Sequence, residues 1–146
     1  MESVVCFAPQ CVEGALTALD LVRPAVAAFL GILFLQSGID KVVDRKGNLE
    51  WLSGHFAKSP LASMVVPMVG VITVMEITAG TLSAVGVPML LFTDDRTVAA
   101  LGALLAITSL LMLFFGQRVA KDYAGAAALV PYFILAGAGL GLMGLP

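Results

Sequence analysis

Four stretches of this chain are each apolar over a length that matches the thickness of a lipid bilayer, and most of its charges fall between them or at their ends. No other feature restricts the fold as strongly. A hydrocarbon core about 30 Å thick takes about 20 helical residues per crossing, so four crossings use about 80 residues and six would leave almost no connections. Only 12% of the 146 residues are charged, about half the share usual in soluble domains. Such a chain cannot cover itself with polar surface, which excludes a soluble monomer, and its composition is the opposite of a disordered chain. The net charge of −2 offers no basic field to nucleic acid. The sequence therefore predicts a single all-α domain: an integral membrane four-helix bundle with spans at about 24–43, 64–90, 98–115 and 123–145.

The connections carry their own signals. Residues 1–23 form an N-terminal arm, in which LTALDLVR reads as an amphipathic lead-in and Pro24 suits a first helical turn. No basic segment precedes an apolar core, so no cleaved signal peptide is expected. Between spans one and two, DRKGNLEWLSGHFAKS predicts a short helix in the membrane interface. Asn48 would cap it, Leu49, Leu52 and Phe56 would form one apolar stripe, and Trp51 would sit at headgroup depth. Ser59-Pro60 and Thr93 read as helix starts, Pro67 as a kink, and Gly116 as the end of span three.

Lys41, Arg45, Lys46, Lys58, Arg118 and Lys121 lie at or in the two odd connections, whereas only Arg23 and Arg96 lie on the other side. The positive-inside rule then puts both termini outside the cytoplasm. Cys6 and Cys11 would face an oxidising compartment. Their spacing is not that of a CxxC redox pair. A disulfide, two free thiols, and a catalytic or metal-binding pair all stay open, although two cysteines alone cannot complete a structural zinc site, and no metal is expected. The single histidine, His55, lies outside the spans and reads as a surface residue; a haem held by two histidines of this chain is ruled out.

Small residues recur on every span: Ala27 and Gly31, then Gly80, Ser83 and Gly86, then Gly102, Ala103 and Ala106, and a GxxxG at Gly137 and Gly141. They predict close helix packing. Depth gives a sharper signal. With span midpoints near residues 33, 75, 107 and 134, Glu76 lies within about 2 Å of its midpoint, Thr108 about 2 Å, Tyr132 about 3 Å and Gln36 about 4–5 Å. All four helices thus predict a polar side chain at one level. A charged acid there costs about 2.5–3.5 kcal/mol unless it faces the interior or is protonated. Ser37 and Lys41 share a helical stripe with Phe34 and Leu30. Because Lys41 sits about 12 Å from its midpoint, Glu76 is expected to reach Gln36 or Ser37 more easily than Lys41, which reads first as a snorkelling interface lysine.

FLQSGIDKV, from Phe34 to Val42, resembles the phenylalanine, Ser-Gly, lysine signature that ends the first helix of DoxX-like membrane proteins. EITAGTLSAVG, from Glu76 to Gly86, is similar to that family's glutamate and glycine on the second helix, and NLEWLSGHFAKSPLAS has the character of its connecting helix. The resemblance covers about residues 24–90; beyond that it is one of hydropathy alone. It implies a four-helix inner-membrane protein related to DoxX and DoxD, groups linked to thiosulfate:quinone oxidoreductase and to redox complexes handling sulfur or oxidative stress. The positions it carries over are Ser37, Gly38, Lys41, Glu76 and Gly80.

Three functions compete. The first is a quinone-linked redox protein or subunit, with Glu76 in proton transfer or polar binding and with Gln36, Ser37, Gly38, Lys41, Gly80 and Tyr132 as binding candidates. No cofactor motif is visible, so a bound quinone or a partner would carry the electrons, and catalysis by the chain itself is left open. The second is a non-catalytic accessory subunit held by other membrane proteins or by its own copies. The third is a small proton-coupled transporter.

Overall fold

The computed structural model describes residues 17–145; Cys6 and Cys11, and with them the disulfide question, lie outside the described residues. The elements run α1 (Ala18–Val43), α2 (Arg45–Phe56), a 3-10 turn (Ala62–Met64), α3 (Val65–Phe92), α4 (Thr97–Val119) and α5 (Tyr123–Gly144). No strand occurs among the described residues. Four segments, 18–43, 62–92, 97–119 and 123–144, are long and apolar enough to cross a bilayer, so the chain is a multi-pass membrane protein. Each neighbour in this up-down bundle runs antiparallel to the next: α3 packs on α1 and on α4, and α5 closes the ring against α4 and α1. With four crossings, residues 17 and 145 end on the same side.

Local chemistry moved several boundaries. α1 starts six residues before Pro24, because Thr17 and Asp20 form a reciprocal capping box. The Asp20 carboxylate accepts from Thr17 N at 2.8 Å, and Thr17 Oγ1 accepts from Asp20 N at 3.4 Å. Pro24 therefore lies inside the helix, and the expected lead-in is simply its first turns. The interfacial helix is present, but Asp44 caps it, accepting from Gly47 N at 3.2 Å. Asn48 instead donates its side-chain amide back to the carbonyls of Asp40 and Asp44. Ser59 organises the turn before α3 rather than starting it: its hydroxyl donates to Phe56 O and accepts from Leu61 N. Pro67 falls in the first turn of α3, where its missing N–H removes no intrahelical bond.

Thr93 closes α3, its hydroxyl donating to Met89 O at 2.7 Å, and does not open α4. The start of α4 is held by Asp95, whose Oδ1 accepts from Thr97 N at 2.9 Å. The Thr97 backbone N–H, and then its side chain, hold the Asp95 carboxyl below the usual carboxylate range. Gly116 does not end the third span, because α4 continues to Val119. Only the last span matches its expected limits within one residue, with Asp122 capping α5 through Gly125 N at 2.8 Å.

Arg23 is the largest departure from the charge pattern. It is not a surface marker of orientation but is 3% exposed. Its Nε donates to Leu142 O at 2.9 Å and its Nη2 to Leu145 O at 2.7 Å. Arg96 also donates to Leu145 O. Carbonyls at a helix C-terminus lack intrahelical partners and carry partial negative charge, so guanidinium groups satisfy them. Arg23 thereby fastens the end of α5 to the start of α1. Arg23→Met is expected to lower stability by at least about 3 kcal/mol, since at least two charge-assisted bonds are lost at about 1.5–3 kcal/mol each. Arg23→Lys, which retains one donor group, should recover part of it in thermal unfolding in detergent.

Candidate functional site

α1 and α3 can approach closely only where side chains are absent. A Cβ on Gly80 would stand 2.6 Å from Leu35 N, and one on Gly38 would stand 2.6 Å from Ile77 Cγ1 and 3.5 Å from Glu76 Cβ. Gly38 sits at the level of Glu76 and Gly80 one turn further along α3, and together they let short side chains cross the interface there.

At that level Ser37, Lys41 and Glu76 meet. Lys41 Nζ lies 2.8 Å from Glu76 Oε2, with the lysine side chain 16% exposed and the glutamate 2%. Ser37 Oγ donates to Glu76 Oε1 at 3.1 Å and accepts from Lys41 Nζ at 2.8 Å. Lys41 also donates to Ser37 O at 3.3 Å. The Oε2 contact is an ion pair without the alignment of a hydrogen bond. The expectation that Lys41 would snorkel outward is therefore overturned. Helical side chains lean toward the N-terminus, so Lys41 lies back over the turn of Ser37 and reaches inward instead.

The other members of the expected polar layer do not join. Gln36 and Tyr132 lie on exposed faces of α1 and α5. Thr108 donates to Leu104 O of its own helix at 2.9 Å. α4 contributes its next residue, Ser109, which is fully buried and whose hydroxyl has no hydrogen-bond partner among the described residues. Gly86 faces Ala99 and Gly102 faces Ser83. Continued two turns along α4, this antiparallel register brings Ser109 opposite Glu76. Ser109 had no marker in the sequence, because a helix apolar on all sides does not reveal which serine points inward. Ser83, also buried without a hydrogen-bond partner, lies two turns from Glu76 on the same α3 stripe.

A cleft of about 500 Å³ adjoins this group, between α2, the start of α3 and the end of α4. Lys41 lines it, as does Ile72, one turn from Glu76. Near it, His55 proves not to be a free surface residue. Its Nε2 is 3.1 Å from Gln117 Oε1 and 3.5 Å from Asp122 Oδ2, and Trp51 stacks on its ring at 4.9 Å between centroids. These contacts tie the interfacial helix to the turn between α4 and α5. Among the described residues no group of three or more His, Cys, Asp or Glu side chains could hold a metal ion.

Comparison with family models, with curated proteins and with solved structures gives no match for this chain. The site must be interpreted from its own chemistry. It offers a carboxylate, an ammonium group and a hydroxyl within hydrogen-bonding distance, shielded from water on the bundle side and open toward an apolar cleft on the other.

Proposed function

We propose that this chain is a DoxX-type protein of the bacterial inner membrane, acting as a subunit of, or beside, a quinone-linked or sulfur- and stress-related redox complex. The observation that carries the reading is the inward ion pair of Lys41 and Glu76, bridged by Ser37. A lone acid in a span is costly, but a carboxylate and an ammonium group in contact sum to no net charge and persist at that depth. Reduction of a quinone to the hydroquinone takes up two protons and two electrons. In this reading Glu76 accepts protons from the aqueous side and passes them to the quinone, Ser37 and Lys41 orient it, and the electrons come from thiosulfate through a partner subunit. The excess of Lys and Arg in the odd connections supports an orientation with both termini outside the cytoplasm.

The test is isolation from native membranes in mild detergent, with quinone reduction by thiosulfate measured on the isolate. Redox-cofactor proteins are expected to co-purify, and Glu76→Gln should lower turnover at least tenfold with the assembly intact. Unchanged turnover in that variant removes the proton role.

One observation favours the accessory-subunit reading beside it. Among the described residues nothing stands within 4 Å of a Cβ placed on Gly137 or Gly141 of α5, so this GxxxG faces away from the other described helices, contrary to expectation. Such a face suits another transmembrane helix, from a partner or a second copy. If co-purification survives Glu76→Gln and activity is unchanged, the accessory reading stands alone.

A further inference from the structure

The cleft beside Lys41 has a specific chemical character. Its volume of about 500 Å³ falls in the usual range for small-molecule sites, about 300–1,000 Å³. Trp51, Met64, Met112 and Phe115 line it and are also exposed on the outside of the bundle, so the cleft opens sideways. In a membrane-spanning chain that side faces lipid. Its inner wall includes Val65, Val69 and Ile72, all buried.

Lys41 is the only charged residue lining it among the described residues, and Glu76 already balances that charge. This pairing selects the ligand. An anionic head would compete with Glu76 for the ammonium group and leave a buried carboxylate unpaired, which is strongly unfavourable. A cationic head would meet Lys41 directly. An uncharged carbonyl or hydroxyl oxygen disturbs neither. It can replace the 3.3 Å contact from Lys41 to Ser37 O, the longest bond Lys41 makes to Ser37. Three methionines, Met64, Met68 and Met112, line the apolar part. Their flexible thioethers adapt to an irregular chain without requiring one shape.

We propose that the cleft binds a neutral amphiphile: a single apolar chain entering from the lipid phase, with a carbonyl or hydroxyl head at Lys41. The inference deepens the reading of the Lys41–Glu76 site and rests on its membrane placement, but does not require electron transfer. A long-chain quinone and a neutral glyceride share this chemistry.

Trp51 is the only tryptophan in the chain and lines the cleft, so its fluorescence reports occupancy. The full chain is reconstituted in dioleoylphosphatidylcholine vesicles and titrated with a dibrominated monoacylglycerol. Saturable quenching is expected. The corresponding bromo fatty acid, at a pH where it is anionic, should give only a linear background. Gly116→Leu should raise the half-saturating concentration at least tenfold: a Cβ there meets Phe56 at an unstrained 3.6 Å, and the remaining atoms enter the cleft. Met68→Phe, which narrows the same cleft from α3, is the second variant should the first fail to fold.

Linear quenching by the neutral lipid, equal saturation by the anion, or wild-type behaviour in a folded cleft variant overturns the proposal. Competition by decylubiquinone against monoolein identifies the source. Saturable glyceride binding without quinone competition upholds the cleft and removes the quinone from the proposed function. Glu76-dependent turnover without saturable quenching does the opposite.

Discussion

Lys41→Met is expected to destabilise the bundle by about 3–5 kcal/mol, and Glu76→Gln by only about 1–3 kcal/mol. The asymmetry follows from where each survivor is left. Without Lys41, the Glu76 carboxylate stays 2% exposed with only the Ser37 hydroxyl to satisfy it. Without the Glu76 charge, Lys41 lies two residues from the end of α1 and can swing its ammonium group out to the interface. The double variant Lys41→Met with Glu76→Met leaves no buried charge and should return to within about 1 kcal/mol of wild type, because breaking a buried pair costs more than replacing it. Unfolding by SDS in mixed micelles measures all three. Equal losses for the two single variants, or a double variant as unstable as the worse single one, would show that the pair is not held inward as described.

Gly80→Val should have an effect at least as large. The added Cβ would lie 2.6 Å from Leu35 N and 3.1 Å from Phe34 C, both backbone atoms that cannot turn aside. α1 and α3 must separate, and overpacking of this kind costs about 1–3 kcal/mol and at times more. Glu76 sits one turn away on α3, so separation also stretches the ion pair and adds its loss. The expected result is failure to purify as a folded monodisperse protein, or a stability loss on the order of 4 kcal/mol when both terms apply. Gly137→Ala is the matched control, with nothing within 4 Å of the new Cβ, and should stay within about 0.5 kcal/mol of wild type. A Gly80 variant as stable as this control would mean that α1 and α3 are not in close backbone contact.

Glu76 was visible in the sequence by depth alone, as the one acid near the middle of a span, and Ser37 and Lys41 by their spacing of one helical turn. Their meeting was not visible, because it depends on Lys41 lying back toward the N-terminus and on Gly38 and Gly80 admitting close approach. The same limit explains the polar residues placed wrongly. Gln36 and Tyr132, expected at the level of Glu76, point outward, and Ser109 takes the place expected of Thr108. Thr17 and Asp20, three residues apart, form a capping box that starts α1 six residues ahead of Pro24, the position expected for its first turn.

Hydropathy and length by themselves determined the number of crossings, the all-helical class and the helix between the first two, because lipid forces every backbone group to bond within its own segment. Which face of each helix turns inward was decided only by tertiary structure. In water an amphipathic stripe marks the buried face, but in lipid both faces are apolar and the stripe vanishes. Small-residue contacts such as Gly80 on Leu35 and Gly102 on Ser83 then set the rotation of each helix. That rotation turns Gly137 and Gly141 outward, brings Arg23 onto the end of α5, and joins Lys41 to Glu76 beside a cleft open to lipid.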